Sequence, residues 1–181
     1  MRSVVVYESM FGNTRQVAES IGRGLEPSGE VAVVPVDGAD EALRGGVDLL
    51  VVGGPTHVHG LSSARTRAAA VEMASKPESR FGLDEHASGP GLREWFATLA
   101  SGTARAAAFD TRMPQPAVFT GRASKRIRRE LRRRGFDVSA PPESFIVESS
   151  NVLKEGELER ARAWGSSLVS SAGGAARPEA A

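Results

Sequence analysis

One stretch near the start restricts the architecture of this chain more than any other. Val4-Val5-Val6-Tyr7-Glu8-Ser9-Met10-Phe11-Gly12-Asn13-Thr14 runs directly into Arg15-Gln16-Val17-Ala18-Glu19-Ser20-Ile21. An unbroken apolar run, a turn-forming Gly-Asn pair, and then Val17, Ala18, Ile21 and Leu25 at helical spacing spell a buried strand, a tight loop and an amphipathic helix. A strand without polar alternation is apolar on both faces and needs helices above and below it, so this is the opening of an α/β sheet.

The loop has a chemistry of its own. It offers hydroxyls at Ser9 and Thr14, an amide at Asn13, close backbone approach at Gly12, and the unpaired N–H groups of a helix start. Such a cup suits a phosphate dianion, because amide donors and the positive end of the helix dipole converge on one point. The alternative is a plain strand-to-helix turn whose Ser and Thr only cap the helix. Two phosphate-loop rivals fall away: no Gly-rich loop ends in Gly-Lys-Ser/Thr, and no Gly-x-Gly-x-x-Gly follows the first strand.

With 181 residues, the chain has the length of one domain that can bury a core without staples. A 25% share of charged residues against 40% hydrophobic excludes wholesale disorder. The absence of Cys removes disulfides, thiolate metal sites and Cys nucleophiles together. A net charge of +1 gives the molecule as a whole no electrostatic preference. The Val4 to Tyr7 run is too short for a secretory signal and no stretch is long enough to span a bilayer, so a cytoplasmic location is expected.

Further strands are expected over Glu30 to Val36, Val47 to Val52 and Ala104 to Phe109. A fifth starts at Gly135 to Val138, is interrupted by Pro141-Pro142, and resumes over Glu143 to Val147 at the sheet edge, where proline is tolerated. Between them lie a short helix after Asp37, a helix over Leu61 to Ser75 with Ala68, Val71 and Ala74 inward and Arg65 and Arg67 outward, and a loop over Lys76 to Gly91. Leu92 to Leu99 reads as a helix that buries Trp95 and Phe96, Gly121 to Arg134 as a basic helix, and Glu155 to Val169 as the closing helix. The domain therefore spans 1–170, and 171–181 has the composition of a frayed tail. Five strands alternating with helices give an α/β three-layer sandwich with a parallel sheet.

Ser9-x-Phe11-Gly12-Asn13-Thr14 after an N-terminal apolar strand resembles the FMN phosphate loop of the flavodoxin-like family, usually Ser/Thr-x-Thr-Gly-x-Thr. The Met10-Phe11 pair is most similar to the quinone-reductase and flavodiiron branches. The resemblance implies strand order 2-1-3-4-5, FMN as cofactor, and an isoalloxazine that moves electrons while the protein holds it. Three loops would do the holding. Ser9, Met10, Phe11, Gly12, Asn13 and Thr14 would take the phosphate, while Pro55, Thr56, His57, Val58, His59 and Gly60, with Asp110, Thr111 and Arg112, would frame the ring. The second loop departs from the family's Thr-Trp-Gly, putting His57 in place of the aromatic plate, and no Tyr follows Asp110. The ring is therefore expected to be more open than in a dedicated electron shuttle.

A protonated His57 or His59 would favour the reduced, anionic ring. The His-x-His pair could instead bind metal, although no Cys and no carboxylate of the same loop is there to help. Arg112 either faces the pyrimidine edge or pairs with a surface carboxylate. A cation about 5 Å from the reduced ring, at an effective dielectric near 20, is worth roughly 3 kcal/mol, on the order of 0.1 V.

The helix from Lys125 to Arg134 is cationic at every position except Ile127, Glu130 and Leu131. It could dock an acidic redox partner, or be a solvated face. Nucleic acid is disfavoured because no aromatic residue interleaves the charges. The leading expectation is an FMN-binding electron-transfer protein, with no protein nucleophile. The alternatives are an NAD(P)H-dependent FMN quinone reductase, although no NAD(P)H motif stands out, and a flavin-free interaction module on the same fold.

Overall fold

The computed structural model describes residues 1–57, 60–79, 81–116 and 121–170. The opening apolar run forms β1 (Arg2–Tyr7), in which Val4, Val5 and Val6 are fully buried. Strands β2 (Glu30–Pro35), β3 (Leu49–Pro55), β4 (Arg105–Arg112) and β5 (Glu143–Ile146) complete a sheet in the order β2-β1-β3-β4-β5. Every pairing is parallel, with Val5 beside Val33 on one side and Val51 on the other. Parallel neighbours need crossovers, and the helices supply them.

Alternation along β1 sends its side chains into two separate cores. Val4 and Val6 join Leu50, Val52, Ala106 and Ala108 beneath α2 (Ala39–Ala42), α4 (Leu92–Thr98) and α5 (Ala123–Arg133). Val5 and Tyr7 join Val51, Phe109 and Phe145 beneath α1 (Asn13–Leu25) and α6 (Glu157–Ser170). The latter two helices meet backbone to backbone: a Cβ on Gly24 would lie 2.1 Å from the Arg162 carbonyl oxygen, and one on Gly165 would lie 2.4 Å from that of Ile21. Here glycine is required by close approach.

The α/β sandwich and the 2-1-3-4-5 order follow the sequence expectation. So does the broken last strand, since Asp137 bridges to Arg105 before Pro141-Pro142 and pairing resumes at Glu143. Two local readings are corrected. Helix α3 is shorter than expected (Ala64–Ala74), and its Arg67 side chain is only 11% exposed, against Glu94 at 3.1 Å, while Ala68 faces solvent. The salt bridge outweighs the apolar periodicity because α3 lies over the loops and not on the sheet; its buried Ala70 packs with Met10 and Ala87. Strand β4 continues through Arg112, so Asp110, Thr111 and Arg112 are strand and not loop. No helix among the described residues is long and apolar enough to cross a membrane.

Candidate functional site

The carboxyl ends of β1, β3 and β4 converge on a cleft of about 170 Å³, where ligands settle in open α/β sheets. The loop leaving β1 forms its floor. Gly12 is the N-cap of α1 at φ +84°, a conformation that costs any residue with a Cβ about 1–2 kcal/mol. Its N–H donates to Ser9 Oγ at 3.1 Å, which folds the loop into a cup. The N–H groups of Asn13, Thr14 and Arg15 in the first turn have no carbonyl one turn back to bond, and no acidic side chain occupies that turn.

Two clamps hold the cup. Thr14 Oγ1 lies 2.7 Å from Thr111 Oγ1 on β4. Asn13 Nδ2 donates to both the carbonyl oxygen and Oδ1 of Asn151, each at 3.0 Å, and Asn151 itself takes a left-handed φ of 61°. The cation nearest the cup is already compensated: Arg15 pairs with the buried Asp84 at 3.2 Å and with Glu85 at 3.2 Å. Asp84 is tied to the loop as well, its N–H donating to the Met10 carbonyl at 2.9 Å. The cup's donors are therefore neutral ones. Glu8, just ahead of it, is buried and bonds the Ser62 hydroxyl and, at 2.8 Å, the Leu92 N–H, locking the start of α4 to the end of β1.

Pro55, Thr56 and His57 form the second wall. The Thr56 N–H donates to the Thr111 carbonyl at 2.8 Å, and His57 exchanges backbone hydrogen bonds with Gly60 at 2.8 and 2.9 Å. Burial lowers the pKa of the His57 imidazole below its ordinary value; Glu8 opposes the shift and Arg67 reinforces it. Val58 and His59 lie outside the described residues, so the His-x-His reading of this loop does too. Among the described residues no group of three His, Asp or Glu side chains is arranged to hold a metal ion.

The third wall is Thr111, Arg112 and Met113. Arg112 Nη1 donates to the Met113 and Gln115 carbonyls at 3.2 and 2.8 Å, so of its two expected placements the pairing with a surface carboxylate is not seen among the described residues. Its Nε is buried and has no partner among the described residues, an arrangement that costs free energy unless a further acceptor meets it.

Met10, Phe11, Asn13, Thr14, Pro55, Thr56, His57, Thr111 and Arg112 thus line one cleft, with Ser9 and Gly12 shaping its floor. Asp110 is placed elsewhere. Fully buried, it turns toward α5, where its Oδ2 accepts from the Ser124 N–H at 2.9 Å and the Thr56 hydroxyl at 3.1 Å. Thr56 Oγ1 in turn accepts the Ala123 N–H at 3.0 Å, so the pair caps a helix and ties the cleft wall to it. Sequence reasoning missed Met113, Val147 and Asn151, which also line the cleft. The one available signal was the turn-forming Ser149-Ser150-Asn151 run before the last helix.

Comparison with known proteins agrees with this geometry. A family model described as flavodoxin matches residues 5–97. Flavodoxin 2 from Bacillus cereus superposes at a TM-score of 0.62 and 18% identity, covering 94% of this chain and 99% of that one. A flavodoxin from the domain Archaea gives 0.58 and 19%, with 94% and 98% covered. A WrbA-like flavodoxin from Agrobacterium tumefaciens gives 0.56 and 19%, with 94% and 96% covered. At these identities the superpositions speak for the fold alone, and no curated protein matches the chain. The family match, spanning half of the chain and containing the cup, makes the protein a member of the flavodoxin family.

Proposed function

We propose that the chain is an FMN-binding electron-transfer protein, and the observation that carries this reading is the cup at Gly12. A left-handed glycine cap, unbonded first-turn N–H groups and the hydroxyls of Thr14 and Thr111 supply the donor set a phosphate ester needs. The buried Nε of Arg112 adds a donor that lacks an acceptor among the described residues. These residues fit the cofactor.

When bound, the isoalloxazine would supply the one- or two-electron chemistry. The residues of the chain would hold and tune it. The first turn of α1 would fix the phosphate, while His57 and Arg112 would border the ring. A cleft of about 170 Å³ is smaller than the roughly 300–1,000 Å³ of enclosing ligand sites, so it would leave part of the ring uncovered. A neutral His57 would donate or accept one hydrogen bond without adding charge, and Arg112 would keep a fixed cation nearby. Together they favour a ring that is easier to reduce than one bordered by carboxylates.

Titrating FMN into the apoprotein tests the reading. One equivalent should bind, with measurable heat and loss of flavin fluorescence; absence of both overturns it. The open cleft also favours a second reading, in which a reductase admits a flat substrate to the ring. Rapid mixing of the FMN-loaded protein with NADPH separates the two: fast bleaching makes it a reductase, and no bleaching leaves a carrier.

A further inference from the structure

A second cavity, about 640 Å³, is larger than the cleft. It runs between α5 and the Pro141-Pro142 segment, with Lys125, Arg128, Arg129 and Arg132 on one side and the two prolines on the other. Arg122 and Arg133 close its ends, and among the described residues no carboxylate lines it.

Several arginines elsewhere are compensated by carboxylates. Arg15, Arg67 and Arg160 each have a carboxylate within 3.2 Å, and Arg134 has Glu130 at 3.1 Å. Among the described residues, Lys125, Arg128 and Arg129 of the groove have no ion pair or hydrogen bond, and the Nε of Arg128 is buried there without a partner. Like charges three and four residues apart on a helix repel, by a few tenths of a kcal/mol per pair, about as much as opposite charges attract. This face therefore stands at a cost that an anionic occupant would remove.

The form of the groove selects the occupant. An eleven-residue helix is about 16 Å long, and its cations are spread along it instead of converging on a single point, which matches a carboxylate-bearing protein surface better than a lone phosphate. Among the described residues no aromatic side chain lines the groove to stack a base. Its upper end begins at Arg122, next to Ala123, whose N–H bonds Thr56 of the cleft wall. An occupant of the groove therefore sits beside the rim of the cleft.

We infer that this groove docks an acidic electron-transfer protein beside the FMN cleft. The docking rests on the groove alone, while the electron step rests on the FMN reading above. One electron leaves the reduced centre of the partner and is gained by FMN.

A fluorescent deca-glutamate peptide serves as the probe of docking, and a reduced acidic [2Fe–2S] ferredoxin as the probe of transfer. At about 50 mM salt the peptide should bind, and its affinity should fall about tenfold or more by about 300 mM. The combined Lys125→Glu, Arg129→Glu and Arg132→Glu protein should lose about tenfold or more in peptide affinity and in the rate of reduction by the ferredoxin at low salt. Its FMN affinity and unfolding midpoint should not change, and Arg44→Glu with Arg162→Glu, distant exposed charges, should leave peptide binding intact. Absence of peptide binding at low salt, or equal binding by the triple variant, overturns the inference. Displacement of the peptide by an equimolar dT12 oligonucleotide, or by tripolyphosphate, also overturns it, in favour of a nucleic-acid or small-anion site. Peptide binding by a protein that takes up no FMN would uphold the docking and sink the proposed function, so the two failures are read apart.

Discussion

The cleft and the groove, joined through Thr56, Asp110 and the start of α5, would receive anions on opposite principles. The floor of the cleft uses first-turn N–H groups, with hydroxyls and one carboxamide pinned by second partners, and the cation next to it, Arg15, is spent on Asp84 and Glu85, which leaves Arg112 as the charge on the wall. The groove uses long cationic side chains, of which Lys125, Arg128 and Arg129 have no ion pair or hydrogen bond among the described residues, while Arg122 and Arg132 bond Ser144 and the Val138 carbonyl and Arg133 pairs with Glu130. Neutral, preoriented donors give a defined geometry and weak dependence on salt. Exposed charges give reach and fast encounter, and salt screens them. One surface is suited to keeping a small ester, the other to a partner that arrives and leaves.

The junction offers the most forceful way to break this contrast. Asp110→Ala strips the acceptor from the Ser124 N–H and the Thr56 hydroxyl, two largely buried donors that cost about 1–3 kcal/mol each when unpaired. Urea denaturation should show a loss of about 3 kcal/mol or more, with both FMN and deca-glutamate affinities reduced because cleft wall and helix start move together. If both affinities survive, the two regions are independent.

Gly12→Ala should touch one side only. Forcing a Cβ into the left-handed cap costs about 1–2 kcal/mol, seen as about a tenfold weaker FMN titration, with deca-glutamate binding unaltered. Equal weakening of both would mean that the substitution had unsettled the whole sheet end.

The smallest expected effect is the pH response of His57. Because its folded-state pKa lies below the unfolded value of about 6.5, the unfolded chain binds the proton more readily. Stability is thus full above the unfolded pKa and is lost as pH falls toward the lowered folded one, with a slope no steeper than about 1.4 kcal/mol per pH unit. Subtracting the stability profile of His57→Gln should isolate this slope. A residual slope of the opposite sign would show that Glu8 outweighs burial.

Sequence and structure agree where a local pattern dictates the outcome. The apolar run of β1, the Gly-Asn turn and the spacing of Val17, Ile21 and Leu25 determine strand, cup and helix without outside help. Asp110 was legible as a residue at the end of the fourth strand, but its direction was not. Whether a carboxylate faces the cleft or a helix start is decided by the N–H groups of Ala123 and Ser124, which arrive from the next crossover. Asn151 was hidden for a similar reason: it enters the site more than a hundred residues after its partner Asn13. Arg67 turned inward because Glu94, on another helix, was there to receive it.

The two prolines beside the groove have a second effect. They cut the outermost strand of the sheet to Glu143–Ile146, four residues whose free flank offers another chain little backbone to pair with. The same prolines that wall the cationic groove thereby also guard that margin against edge-to-edge aggregation.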